Sequence, residues 1–103
     1  MKYVIKRKLF QSPIDQETVG KLWNDRGFSC HLYVDKLGQE WNDFVHSTNE
    51  LVTIIHGRLL LTVGKEELTL NIGDELFIPA RARHSVKNIF GRETQWLFGY
   101  DWF

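Results

Sequence analysis

The sequence predicts an all-β barrel with one short helix near its N-terminus, and three observations carry that expectation. Gly57, Gly64 and Gly73 punctuate "LVTIIHGRLLLTVGKEELTLNIGDELFIPA" at intervals of roughly eight residues, the rhythm of short strands joined by turns. The segments between them alternate apolar and polar residues and are rich in β-branched side chains, which suit a half-buried pleated surface. Helix signals gather in one place only, before Gly27. At 103 residues the chain is read as a single domain, 1–103, with room for one core and not for two.

Taken in order, "KYVIKR" reads as a short opening strand. In "SPIDQETVGKLWNDRG", Ser12 is placed as the N-cap, Pro13 at the first helical position and Gly27 as the stop. The helix has about three turns, with Ile14, Val19, Leu22 and Trp23 as its apolar face and Gly20 as a weak point in its middle. "FSCHLYVD" follows as a strand and Leu37-Gly38 as a turn. "NDFVHSTNE" sets His46 four places before Glu50, a helical spacing, but the "LVTIIHG" behind it is too β-branched for an exposed helix. The stretch therefore reads as turn then strand, with Trp41 in the turn that leads in. "RHSVKNIF" and "TQWLFGYDWF" close the chain. In the last of these Trp96, Phe98, Tyr100 and Trp102 share one strand face, as a core stripe or as a pocket wall.

Composition narrows the function classes. Lys plus Arg and Asp plus Glu number 13 each, so the net charge is zero, which argues against nucleic acid or a membrane surface as an electrostatic partner. The basic run "KRK" is read as a solvated strand edge. Neither a bilayer-spanning apolar run nor a signal-peptide pattern is present, and Cys30 has no second cysteine to pair with; a cytoplasmic setting is expected. Cys30 itself is read as a small buried apolar side chain. Seven Phe, four Trp and three Tyr can fill a small barrel or line a pocket in it. They also exceed what such a barrel buries alone, so a homodimer is expected, with Val4, Ile5, Phe10, Trp23 and the C-terminal aromatics as contact candidates.

Two constellations carry chemistry. The first is Gly38, five residues, Phe44, one residue, His46, three residues, Glu50, six residues, Gly57; the second is Gly73, five residues, Pro79, four residues, His84, three residues, Asn88. Together, over residues 38–57 and 73–88, they resemble the paired motifs of the cupin superfamily, G-x5-H-x-H-x3-E-x6-G and G-x5-P-x4-H-x3-N, with the short 15-residue spacing of small bacterial cupins. The second motif matches at every fixed position, and the first departs at one: Phe44 stands where the family carries its first metal-binding histidine. The resemblance implies a jelly-roll barrel, pairing into dimers, and a metal held inside.

Carried over residue by residue, the resemblance makes His46, Glu50 and His84 the ligand set: two nitrogens and one carboxylate for one divalent ion, iron, manganese, nickel or zinc, with open positions for water or substrate. Phe44 leaves a second reading open, a barrel that binds no metal. His56 is excluded as a fourth ligand, because six strand residues beyond Glu50 put it roughly 20 Å away, and it is read as exposed at a turn. His31 has no facing fixed by sequence. Trp41, Phe44, Trp96, Phe98 and Tyr100 are the expected pocket residues, suited to a small apolar or aromatic ligand or a sugar stacked on a ring. Arg81 and Arg83 stand before His84 as a solvated loop or as an attraction for an anion at the mouth. Three functions compete: a metal-dependent enzyme of oxygenase, isomerase or hydrolase type, a ligand-sensing barrel without catalysis, and a structural barrel with no ligand. No general acid or base can be named beyond the ligands, and the fold does not decide among the three.

Overall fold

The computed structural model describes residues 4–101. It opens with β1 (Val4–Lys6) and the helix α1 (Gln16–Asp25), then continues through β2 (His31–Asp35), β3 (Glu40–Phe44), β4 (Glu50–His56) and β5 (Leu59–Val63). β6 (Glu66–Leu70), β7 (Glu75–Ile78), β8 (His84–Asn88) and β9 (Thr94–Tyr100) complete it. The strands form two antiparallel sheets, ordered β1-β7-β4-β9-β2 and β3-β8-β5-β6, which is the expected all-β jelly roll with its helix outside. Trp41 lies within β3 and not in the preceding turn. Among the described residues, no helix is long and apolar enough to cross a membrane.

The helix starts later than its sequence suggests. Asp15, in extended backbone, is the N-cap, and its carboxylate accepts from the Thr18 N–H at 3.2 Å and from Thr18 Oγ1 at 2.9 Å. Serine and aspartate cap about equally well, but only Asp15 has a threonine three places on to supply both donors, and its charge suits the positive end of the helix. Ser12 and Pro13 are left in the approach. The stop falls where expected: Gly27 takes φ 85°, its N–H donates to Asn24 O at 2.9 Å, and the Phe28 N–H donates to Trp23 O at 2.9 Å. That double bond is the Schellman closure, which needs the left-handed residue glycine tolerates.

Two clusters of buried side chains flank the larger sheet. Val52, Ile54, Leu59, Leu61, Leu76 and their neighbours pack between the sheets. Val19, Trp23, Phe28, Leu51 and Leu97 pack between the outer face and α1, with Phe10, Ile14 and Cys30 half-buried against them. β4 thus buries both faces, Leu51 toward the helix and Val52 and Ile54 toward the barrel, and this explains its continuous apolar run. Leu22, expected on the helix's inner face, is 49 % exposed. Trp23 is fully buried, and Ile5 and Phe10 are half-buried against the cores, so Trp23 is removed from the list of surface contacts. The side chain of Val4 and the aromatic residues Trp102 and Phe103 lie outside the described residues. The exposed apolar side chains are elsewhere, with Leu32, Val34 and Leu37 on or just past the edge strand β2.

The motif residues that are not ligands have structural work. Gly57 sits at φ 108°, and a Cβ there would run into the side chain and backbone of Thr94. Asn88, nearly fully buried, donates through Nδ2 to the carbonyls of Asp35 (3.2 Å), Lys36 (2.9 Å) and Arg92 (2.8 Å). Its Oδ1 accepts from Thr94 Oγ1 at 2.7 Å and from the Phe90 N–H at 3.0 Å. One amide therefore ties the β2–β3 turn to the β8–β9 turn.

Candidate metal centre

Two strand starts and one loop deliver the polar trio. Glu50 is the first residue of β4 and lies opposite Tyr100 on β9, while His84 is the first residue of β8 and lies opposite Phe44 on β3. β3 carries a register shift between Trp41 and Phe44, with Asp43 at φ 60°. The bulge puts both rings on the cavity side although they stand three residues apart, where an unbroken strand would have separated them. His46 follows in the loop beyond β3. That loop is pinned: the Arg81 N–H donates to His46 O at 2.7 Å, and the Asn49 side chain accepts from the Ala80 N–H at 2.7 Å and donates to Asp101 at 2.8 Å.

The trio converges. One ligating atom each of His46, Glu50 and His84 lies within 4.8 Å of the others. His84 Nε2 is 3.3 Å and His46 Nε2 3.7 Å from Glu50 Oε1. His84 Nδ1 lies 3.0 Å from Ala82 O, an atom that only accepts, so Nδ1 carries the hydrogen and the neutral ring turns its Nε2 lone pair inward. Glu50 Oε1 is buried with no hydrogen-bond donor of its own. Burial alone would push the His84 imidazolium down; Glu50 and the Ala82 carbonyl outweigh it, and the net direction is up. Burial, then the Glu50 charge, pushes the Tyr100 phenol up to about 12, so it stays protonated 3.4 Å from His46 Nε2. A buried carboxylate oxygen lacking a donor, with the His84 Nε2 lone pair and the His46 ring beside it, fits a divalent cation.

Beside the trio lies a cavity of about 180 Å³. All the expected pocket residues line it: Trp41, Phe44, Trp96, Phe98 and Tyr100. Phe44 stacks on His46 at 5.8 Å between ring centroids, with 17° between the planes. Trp102 is outside the described residues. His56 is exposed, as expected, with its ring 5.5 Å from Phe90. His31 is exposed at the end of β2, and Arg81 and Arg83 are exposed and do not line the cavity.

Sequence reading missed Tyr33, Val86 and Asp35. Tyr33 and Val86 line the cavity, lying opposite Trp96 and Trp41 in the sheets. Asp35 is fully buried behind it and accepts from Trp41 Nε1 at 2.9 Å and from Trp96 Nε1 at 3.2 Å. Burial pushes its carboxyl up even with both indoles donating. The available signal was the alternation Tyr33, Asp35 on β2, which shares its inner face with Trp96 across the pair.

The comparisons with known proteins agree with the fold. A cupin 2 domain-containing protein from Halorhodospira halophila superposes with TM-score 0.68 at 15 % identity, covering 97 % of this chain and 61 % of that one. A conserved protein of unknown function from Streptococcus pyogenes gives 0.66 at 20 % identity over 73 % of this chain and 64 % of that one. The DMSP lyase DddQ from Ruegeria pomeroyi gives 0.66 at 18 % identity over 74 % and 39 %. The chain thus spans less than two thirds of the length of these structures, and at such identities the likeness is one of fold. No curated protein matches the sequence. The family model described as "Cupin domain" matches residues 32–100, from β2 through β9 and across both motifs, and the chain belongs to the cupin family.

Proposed function

We propose that this cupin holds one divalent metal ion on His46, Glu50 and His84 and binds or transforms a small molecule in the adjoining cavity. The observation that carries it is Glu50 Oε1, buried without a donor and 3.3 Å from His84 Nε2. Without an ion, that oxygen gains a partner only through a protonated His84, and a cation between the carboxylate and the imidazoles takes that place. Iron, manganese, nickel and zinc all accept such a donor set. When bound, the ion supplies a Lewis acid for an oxygen of the ligand. The chain's own part is to hold the His84 imidazole in one tautomer, keep Tyr100 as a neutral phenol beside His46, and keep bulk water off the Phe44 side.

Metal analysis of the purified protein tests this, followed by calorimetry with each ion. Uptake of one ion per chain by the wild type, and its loss in His84→Ala and in Glu50→Gln, is the expected result. A second reading, a metal-free ligand-binding barrel, draws on Phe44 alone, which stands where the family carries its first metal-binding histidine. Absence of uptake by the wild type and by Phe44→His would favour it and end the first.

A further inference from the structure

The rings around the cavity close into a belt. From His46 one arm runs to Phe44 (5.8 Å), on to Trp41 (6.2 Å) and to Tyr33 (5.6 Å), centroid to centroid. The other arm runs from His46 to Tyr100 (4.9 Å), Phe98 (5.8 Å) and Trp96 (5.4 Å), and meets the same Tyr33 at 6.1 Å. The polar trio occupies one side of this belt and Tyr33, flanked by the two indoles, the other. An indole ordinarily brings a hydrogen-bond donor to a pocket. Here both N–H groups are consumed behind the wall, one by each oxygen of the fully buried Asp35. No lysine or arginine lines the cavity among the described residues, so a phosphate or a second carboxylate finds no counter-charge there.

We propose that Asp35 is a positioning residue that makes this cavity selective for a compact ligand with a planar aromatic or unsaturated body and a single oxygen donor. Holding both indole N–H edges outward, it leaves the far side of the cavity carbon apart from the Tyr33 hydroxyl, so a ring stacks or packs edge-on there while a sugar's several hydroxyls find too few partners. The ligand's oxygen then faces the His46, Glu50 and His84 side. That last clause rests on the proposed metal centre; the aromatic preference does not.

The test uses phenol as probe, with glycerol and tetramethylammonium as controls, followed by saturation-transfer nuclear magnetic resonance on protein stripped by chelator and on protein given metal. Phenol is expected to bind saturably in both states while the controls do not. Failure of the metal reading would leave phenol binding to the stripped protein intact, so the two failures are distinguishable. Asp35→Asn replaces one acceptor oxygen by an NH2 group that only donates, and should weaken phenol about tenfold and narrow its margin over glycerol. Trp41→Phe keeps a ring at that position but cuts its bond to Asp35, and should also weaken phenol, which decides the matter should Asp35→Asn not fold. The inference is overturned if phenol does not saturate the wild type, if tetramethylammonium or glycerol binds as well, or if the folded variants bind phenol as the wild type does.

Discussion

At position 44 a phenyl ring lies 5.8 Å from each of the His46 and His84 rings, measured between centroids. An imidazole on the same backbone would bring a nitrogen to the proposed ion from the side the phenyl now closes. Phe44→His is therefore expected to raise divalent-ion affinity by about tenfold or more, read by calorimetry against the wild type. A different residue sets the acid limit. Burial alone would raise the Asp74 carboxyl, but the N–H groups of Asn71 and Lys8 and the Arg7 guanidinium outweigh it and hold it below its ordinary 3.8. A lowered folded-state value means stability present at neutral pH and lost as pH falls through that value. Asp74→Asn should then be less stable than the wild type at neutral pH, with the gap closing at the acid end, as thermal melts across pH would show. The trio His46, Glu50 and His84 was legible because a motif fixes residues by their spacing. Asp35 was not, because its two partners stand 6 and 61 residues away and only the closed barrel brings them to one carboxylate.

Beside the apolar packing of Val19 and Trp23, one shared acid ties the helix to the barrel. Glu75 on β7 accepts from Trp23 Nε1 at 2.8 Å and from Arg26 Nη1 at 2.9 Å. Arg26→Ala leaves a buried carboxylate with a single neutral donor. The expected loss is about 2 kcal/mol in urea unfolding, less than for a fully enclosed pair because Arg26 keeps 39 % of its side chain in solvent. The end of α1 was legible because Gly27 is the residue a left-handed closure demands. Its start was not: Ser12 and Asp15 carry equal capping credentials, and the choice depends on Thr18 Oγ1 turning toward Asp15. The bulge in β3 was equally hidden, since no glycine marks it and Asp43 supplies the positive φ.

For the molecule as a whole, glycine spacing was enough to indicate the barrel, while the order of strands, and so which edges stay open, came only from pairing. That order changes where a partner copy would sit. β2 closes one end of the larger sheet, and its outward side chains Leu32 and Val34 are 46 % and 41 % exposed, beside Leu37 at 68 %. An apolar edge strand of this kind is a template for pairing. The expected assembly is a homodimer through β2, with Leu32→Lys shifting it to monomer in light scattering at micromolar concentration. A wild type that is monomeric there excludes the pairing.

The knot at Asn88 also bears on how the protein ages. Three carbonyls point at Nδ2, and hydrolysis of this amide to a carboxylate would set an oxygen against all three. While the chain is folded, the amide is buried and its neighbours are committed, so water and a mobile backbone are both withheld from it. In the unfolded chain neither protection holds. A molecule that unfolds long enough to deamidate at this position returns to a turn that no longer accepts it, and a reversible opening becomes a permanent loss.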